Sequence, residues 1–353
     1  MTNSSAILEI NLKNFIHNYK SLSKISSKSL IGATIKANAY GLGDLKIFKI
    51  LYKNGCKNFF VATLDEGLNI RKKFLNGNIF ILNGFEKDDI KICLKNKLIP
   101  IINSIEELKI LNNNSYKNIN IGLHIDSGIN RLGIQPKNVN NLLLSNFKIK
   151  LLMSHLSSSE EKHNKYNSFQ NKVFMETFKH FNNVKYKSIA NSMGIILGNK
   201  YHYNLVRPGI SLYGGHYNTK MKNIIKPVIK LKAKVLQIKH LKKNEYVGYN
   251  QTYKTKKITS IAILGIGYAD GISRVLSNKG FVYYKNKKFK IIGRISMDSL
   301  TIDISGNSMI IKKGVYMELI NYRNDIEKIA KECNTISNEI LTSISSRVKR
   351  IYR

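Results

Sequence analysis

The side chains able to do chemistry stand where apolar runs stop. Leu30–Ile35 is apolar, Lys36 follows it directly, and Ala37-Asn38-Ala39-Tyr40-Gly41-Leu42-Gly43 then forms a loop of small residues with two glycines. An amine fixed at the end of a strand can condense with an aldehyde, and small neighbours leave room beside it for a ring. Pyridoxal 5'-phosphate (PLP) needs such a lysine for its Schiff base, after which its ring serves as an electron sink. A single lysine in so basic a chain is most often solvated surface, so position alone does not decide the matter. Asn83, Asp126, His155, Asn191, Ser192 and Arg207 also follow apolar runs.

The elements that would hold these residues alternate over the first two-thirds of the chain. Strand-like runs are Leu30–Ile35, Asn58–Ala62, Asn78–Leu82, Leu98–Ile102, Asn118–Ile125, Lys148–Met153, Lys185–Ile189 and Tyr203–Val206. Helix-like stretches fall between most of them, among them Asp44–Asn54, Asp65–Leu75, Glu160–Phe181 and Met193–Leu197. Eight strands alternating with helices read as an α/β fold, a (β/α)8 TIM-like barrel, which places its chemistry at the C-terminal ends of the strands. From about Ile225 the pattern changes to β-rich runs at Val228–Ile238, Ile258–Ile266, Phe281–Tyr284, Lys290–Ile292 and Leu300–Ile304, with a helical insert near Asp325–Lys331. The expected organisation is a barrel over residues 10–220 and a C-terminal mostly-β domain over 221–353, with residues 1–9 packing on the latter.

The wording of the loops is more specific than their placement. Lys36-Ala37-Asn38-Ala39-Tyr40-Gly41 closely resembles the signature around the PLP lysine of alanine racemases. Further stretches resemble that family in the same order. They are His124–Gly133, Met153–Leu156, Ala190–Ser192, Val206–Ile210 with Leu212–Gly214, Val247–Tyr253, Gly267–Gly271 and Gly293–Asp298. The series runs from about Glu9 to the C-terminus.

This resemblance implies a PLP-binding barrel with a β domain, interconversion of L- and D-alanine for peptidoglycan, and a homodimer. It implies that Lys36 and Tyr249 are the two catalytic bases, on opposite faces of a planar intermediate, with Tyr249 reaching the barrel of the partner subunit. Tyr40, Ser192, Gly209 and Ile210 resemble the phosphate-binding set, and Asn191 lies in the same cofactor-binding stretch. This agrees with the tendency of barrels to bind phosphate after strands seven and eight. Arg207 resembles the arginine facing the pyridine nitrogen; a guanidinium there cannot accept a proton and leaves the ring a weaker electron sink. His155 is expected in a hydrogen-bond chain between Arg207 and the catalytic tyrosine. Arg131 resembles the arginine near the cofactor's phenolic oxygen and the substrate carboxylate. Met297 resembles the residue whose backbone N–H holds that carboxylate, and Tyr268 and Arg274 resemble residues lining the substrate entrance.

Four positions depart from the family pattern. His124 stands where many relatives have a lysine that can be carbamylated, Leu42 where a histidine is frequent, Asn250 where a glycine is frequent, and Ser346 where some relatives have a tyrosine. Other readings on the same scaffold are a serine or broad-specificity racemase, a decarboxylase, or a PLP carrier; the last keeps a barrel but lacks a β domain.

Bulk composition bears on the remaining class. The 353-residue chain has 58 Lys+Arg against 22 Asp+Glu, a formal charge of +36. Such a balance suggests a nucleic-acid partner, but the charges are scattered rather than gathered in blocks of about five or six. The expectation is therefore no nucleic-acid and no membrane partner, with a field that attracts small anions. Cys56, Cys93 and Cys333 form no CxxC pair, which argues against a disulfide framework or a zinc site and suits a reducing cytoplasm. No metal is expected, and no signal peptide is apparent at the N-terminus.

Overall fold

The computed structural model describes residues 4–113, 116, 119–141, 147–181, 183–307 and 309–353. The chain divides into two compact units. One is Ile16–Leu212 with Tyr217–Ile225; the other is Met1–Phe15, Tyr213–His216 and Lys226–Arg353.

In chain order the first strand, β1 (Ala6–Ile10), belongs to the second unit. The first unit holds β2 (Leu30–Thr34), β3 (Asn58–Val61), β4 (Asn78–Ile81), β5 (Ile99–Ile102), β6 (Ile119–His124), β7 (Phe147–Met153), β8 (Tyr186–Ser188) and β9 (Leu205–Val206). All eight runs read from the sequence are strands here; Asn118, in the expected fifth run, lies outside the described residues. They form one parallel sheet in the order β8-β7-β6-β5-β4-β3-β2-β9. Just beyond the two end strands, the Arg207 N–H donates to the Ala190 carbonyl at 2.9 Å and draws the sheet towards a closed barrel.

The strands are nearly continuous apolar runs because a barrel sheet is covered on both faces. Phe60, Phe80, Ile99, Ile101, Leu151, Met153, Tyr186 and Leu205 pack as one cluster. Phe60 and Phe80 stack at 4.8 Å between centroids. Gly32 makes room for this pair, since a Cβ there would lie 2.5 Å from the Phe60 ring. Each aromatic so buried contributes roughly 1.5–3 kcal/mol.

Capping residues set the surrounding helices. Thr63 and Glu66 form a capping box that starts helix Leu64–Arg71. Asn164 accepts from the Tyr166 N–H and starts helix Lys165–Phe178, later than the expected Glu160. Arg71 ends its own helix: its buried guanidinium donates to the carbonyls of Phe74, Leu75, Gly77 and Lys97. Among the described residues between β6 and β7 lies a short 3-10 segment, Pro136–Asn141.

The second unit is built on β10 (Ile229–Leu241), β11 (Tyr246–Val247), β12 (Tyr253–Lys254), β13 (Thr259–Leu264), β14 (Phe281–Tyr284), β15 (Lys287–Ile292), β16 (Leu300–Asp303), β17 (Tyr316–Ile320) and β18 (Lys349–Tyr352). The main sheet runs β13-β16-β15-β14-β17-β10-β1-β18, and β10 also pairs with β13. The first half of β10 pairs with β17 and its second half with β13, with a bulge at Val235/Gln237. That switch closes six strands into a ring. β1 is antiparallel to β10 and parallel to β18. Helix Ile326–Glu332, capped by Asp325, is the insert expected near Asp325–Lys331.

Candidate active site

Lys36 opens a turn of the wrong hand. Ala37, Asn38 and Ala39 all have φ 52 with ψ of 47 to 54, and Tyr40 has φ 53. Four consecutive L-residues in the left-handed region cost on the order of 1–2 kcal/mol each. Hydrogen bonds hold them there. The Ala39 N–H donates to the Ile35 carbonyl, Gly41 N–H to Ala37 and Gly43 N–H to Asn38, at 2.8, 2.8 and 2.9 Å. The Asn38 side chain accepts from the Asp44 N–H at 2.9 Å and starts the next helix. The Glu66 carboxylate accepts from the Ala37 N–H and from the Ala62 N–H, each at 2.6 Å. Burial pushes the Lys36 amine below its usual range; Arg131 pushes it down further and Glu66 draws it back up.

A second cluster gathers after β8 and β9. Ser192 Oγ accepts from the Gly209 N–H at 2.9 Å and the Ser211 N–H at 3.3 Å. Beside it, Asn191 Oδ1 accepts from the Gly194 N–H at 2.9 Å. Tyr40 packs so close that a Cβ on Gly209 would lie 2.3 Å from its hydroxyl. Ile210 opens a short 3-10 turn, and its N–H has no partner among the described residues. Ser211 Oγ is also buried without a partner. Donors left free beside a tyrosine hydroxyl suit a phosphate group. The Gly209 N–H, in contrast, is already engaged by Ser192.

Cations and imidazoles line the strand ends nearby. Arg207 is buried and donates to Ser188 Oγ at 2.5 Å and to the Ser154 carbonyl at 2.6 Å. Burial brings it down to about 9, which still leaves it charged at neutral pH. No hydrogen bond between Arg207 and the His155 ring occurs among the described residues. The imidazole of His155 is held well below its usual range by burial and by Arg207, Arg131, His124 and Lys36. His124 Nδ1 lies 2.9 Å from Asn103 Oδ1, while its buried Nε2 has no partner. The loop carrying Arg131 folds back on β6, where the Ile134 N–H donates to the His124 carbonyl at 2.8 Å.

Tyr249, Tyr268 and Met297 belong to the other unit. Tyr249 stands on a turn linking β11 to β12 and is 66% exposed. Gly248 has φ 75 and backs onto Gly293, whose φ is 73 and where a Cβ would lie 2.7 Å from the Val247 carbonyl. Tyr268 lies under the Arg274 guanidinium at 5.8 Å. Its N–H donates to the Ser296 carbonyl, and the Ala269 N–H donates to that of Met297. Met297 is half exposed, and its own N–H has no partner among the described residues. Asp298 pairs with Arg347 at 2.6 Å. No group of metal-ligating side chains occurs among the described residues.

Residues 10–217 match the family model "Alanine racemase, N-terminal domain", and residues 228–352 match "Alanine racemase, C-terminal domain". The chain belongs to the alanine racemase family. It is similar to the alanine racemase of Rickettsia akari, with 41% identity and 99% of each chain covered. It is similar to that of Rickettsia typhi at 34% identity, again over 99% of each. Among solved structures, the alanine racemase from Bartonella henselae with covalently bound pyridoxal phosphate matches at a TM-score of 0.94 and 35% identity, over 99% of this chain and 100% of that one. The alanine racemase from Bacillus anthracis with bound L-Ala-P matches at 0.92 and 27%, over 99% and 95%.

Several residues of this alanine racemase site were not singled out from the sequence. They are Glu66, Asn103, Ser154 and Ser188. A capping-box spacing at Thr63–Glu66 was the available signal for Glu66. Nothing in one sequence marks that its carboxylate reaches back to the loop of Lys36.

Proposed function

We propose that this chain interconverts L- and D-alanine, with PLP held on Lys36 and with Lys36 and Tyr249 as the two proton-moving groups. The observation that carries the reading is the mounting of Lys36: a half-buried amine, lowered from its ordinary value, on a turn held in a strained conformation. Strain of that kind persists where the surrounding structure over-determines it, and such places cluster at active sites. When bound, PLP supplies an electron sink that makes the α-hydrogen of an attached amino acid removable.

The residues present fit that group. Lys36 offers the amine, and the Ile210 N–H, Ser211 Oγ and Tyr40 hydroxyl offer donors for the phosphate. Arg207, held by Ser188 and Ser154, offers a charged donor with no site for a proton, which keeps a ring nitrogen beside it unprotonated. Lys36 serves one face of the substrate carbon. Tyr249 serves the other and is supplied by the partner subunit of a homodimer, a role its exposure favours. The free Met297 N–H is suited to an alanine carboxylate, with Arg131 adding positive charge and Tyr268 lining the entrance.

The three cysteines are free, in keeping with a cytoplasmic setting. No helix among the described residues is long and apolar enough to cross a membrane.

The test is direct. Purified protein supplied with PLP and L-alanine should yield D-alanine, and Lys36→Ala should abolish the yield. Persistent racemisation by Lys36→Ala would overturn the assignment. Running L-serine beside L-alanine separates alanine from broader specificity.

A further inference from the structure

Glu66, from the helix after β3, holds the left-handed turn that follows Lys36. Ala37 N–H and Ala62 N–H, on different loops, are both held at 2.6 Å by the two oxygens of Glu66. Hydrogen bonds to a carboxylate are about twice as strong as neutral ones. A helix cap alone would require only the bond to the Thr63 N–H, and that contact is long, at 3.4 Å. One short bond stays beside the helix start, at Ala62; the other, to Ala37, reaches the loop that mounts the amine.

We propose that Glu66 is a positioning residue for Lys36: its carboxylate ties the loop after β3 to the left-handed turn and so fixes the direction in which the amine projects. The inference rests on the reading of Lys36 as the PLP lysine. Glu66 also sets the field at the amine. Two charges act on Lys36: Glu66 raises its affinity for protons, and Arg131, from the loop after β6, lowers it. From helix Asp44–Lys53, the Asp44 carboxylate is occupied by the Leu45 N–H and Asn69 Nδ2. β3 presents no ionisable side chain. His155 in turn is influenced by Lys36.

The experiment follows covalent capture of PLP by the full-length, PLP-free protein. The free amine of Lys36 adds to the aldehyde and water leaves, so the rate rises with pH as the amine loses its proton. The readout is absorbance, separate from turnover. In Glu66→Gln the rise should move to lower pH, because the carboxylate no longer favours the ammonium form. Its plateau should fall about tenfold, as expected for a reacting group held less well. Glu66→Asp keeps the charge on a stem too short to span both amides. It should restore the pH position and leave the plateau low.

A wild-type pH position and plateau in Glu66→Gln, with only the melting temperature lowered, would reduce Glu66 to a helix cap and overturn the inference. Should Glu66→Gln fail to fold, Glu66→Asp decides: a lowered plateau supports the proposal and a wild-type plateau overturns it. Lys36→Ala is the control. If it still captures PLP with wild-type kinetics, the reading of Lys36 has failed rather than that of Glu66.

Discussion

His124 donates from Nδ1 to Asn103 Oδ1 across 2.9 Å, and the amide of Asn103 has no other way to turn. Asn103 Nδ2 is committed to the carbonyls of Leu82 and Ile101 at 3.0 and 3.2 Å. The oxygen therefore faces the imidazole, Nδ1 carries the proton, and Nε2 presents a lone pair. Burial, Arg207 and Arg131 together push His124 down to about 3. At this position the chain places a neutral acceptor.

That protonation state makes the fold sensitive to acid. The unfolded chain takes up a proton on this histidine near pH 6.5, which the folded chain refuses until about pH 3. The unfolded state then binds more protons in that interval, so stability is full above about pH 6.5 and falls as pH drops towards 3. His124→Gln should show a shallower loss of melting temperature between pH 6 and 4 than wild type. His155, also held low by burial, keeps part of the slope in the variant. Identical slopes in the two proteins would contradict a neutral, buried His124.

Gly209 and Tyr40 give a test of the phosphate site. A methyl at 209 meets the Tyr40 hydroxyl at 2.3 Å and its ring at 3.1 Å. Overpacking of this kind costs about 1–3 kcal/mol, so Gly209→Ala should weaken PLP binding by roughly tenfold to a hundredfold. Tyr40→Phe removes the nearer of the two clashing atoms. The double variant should bind PLP better than the two single effects would give if independent. Simple additivity would show that Tyr40 and Gly209 do not share one wall of the site.

Tyr249 is tested by following each hydrogen separately. Net rates in the two directions cannot assign it, because the equilibrium constant between mirror images is unity. Exchange of the α-hydrogen with deuterated solvent, started from one isomer at a time, can. Tyr249→Phe should slow exchange from L-alanine by about a hundredfold, the ordinary contribution of a positioned base, and slow exchange from D-alanine far less. Undiminished exchange from L-alanine would remove Tyr249 from the mechanism.

The barrel was legible because its strands are buried on both faces and therefore read as apolar runs without alternation. The second unit was less so. β18 is Lys349-Arg350-Ile351-Tyr352 at the edge of its sheet, paired among the described strands to β1 alone. An edge strand needs no apolar pattern, and charged residues protect it from further pairing. β1 and β17 are short, and their partners lie far away in the chain. In the site, Lys36 and Arg207 follow apolar runs, but the wording of the loops around them is what singled them out. Glu66 and Asn103 were not singled out, because their work is done through backbone amides and a histidine tautomer, and only three-dimensional contact reveals either.

The turn of opposite hand beside Lys36 has a consequence for what evolution can write there. At Ala37 and Ala39 a β-branched residue would clash outright, and a glycine would sit at ease. Glycine would also return to the lysine's mounting the freedom that the turn removes. Alanine is the residue that keeps the segment taut at the expense of stability, and in a protein selected only for its melting temperature it would be among the first to be replaced.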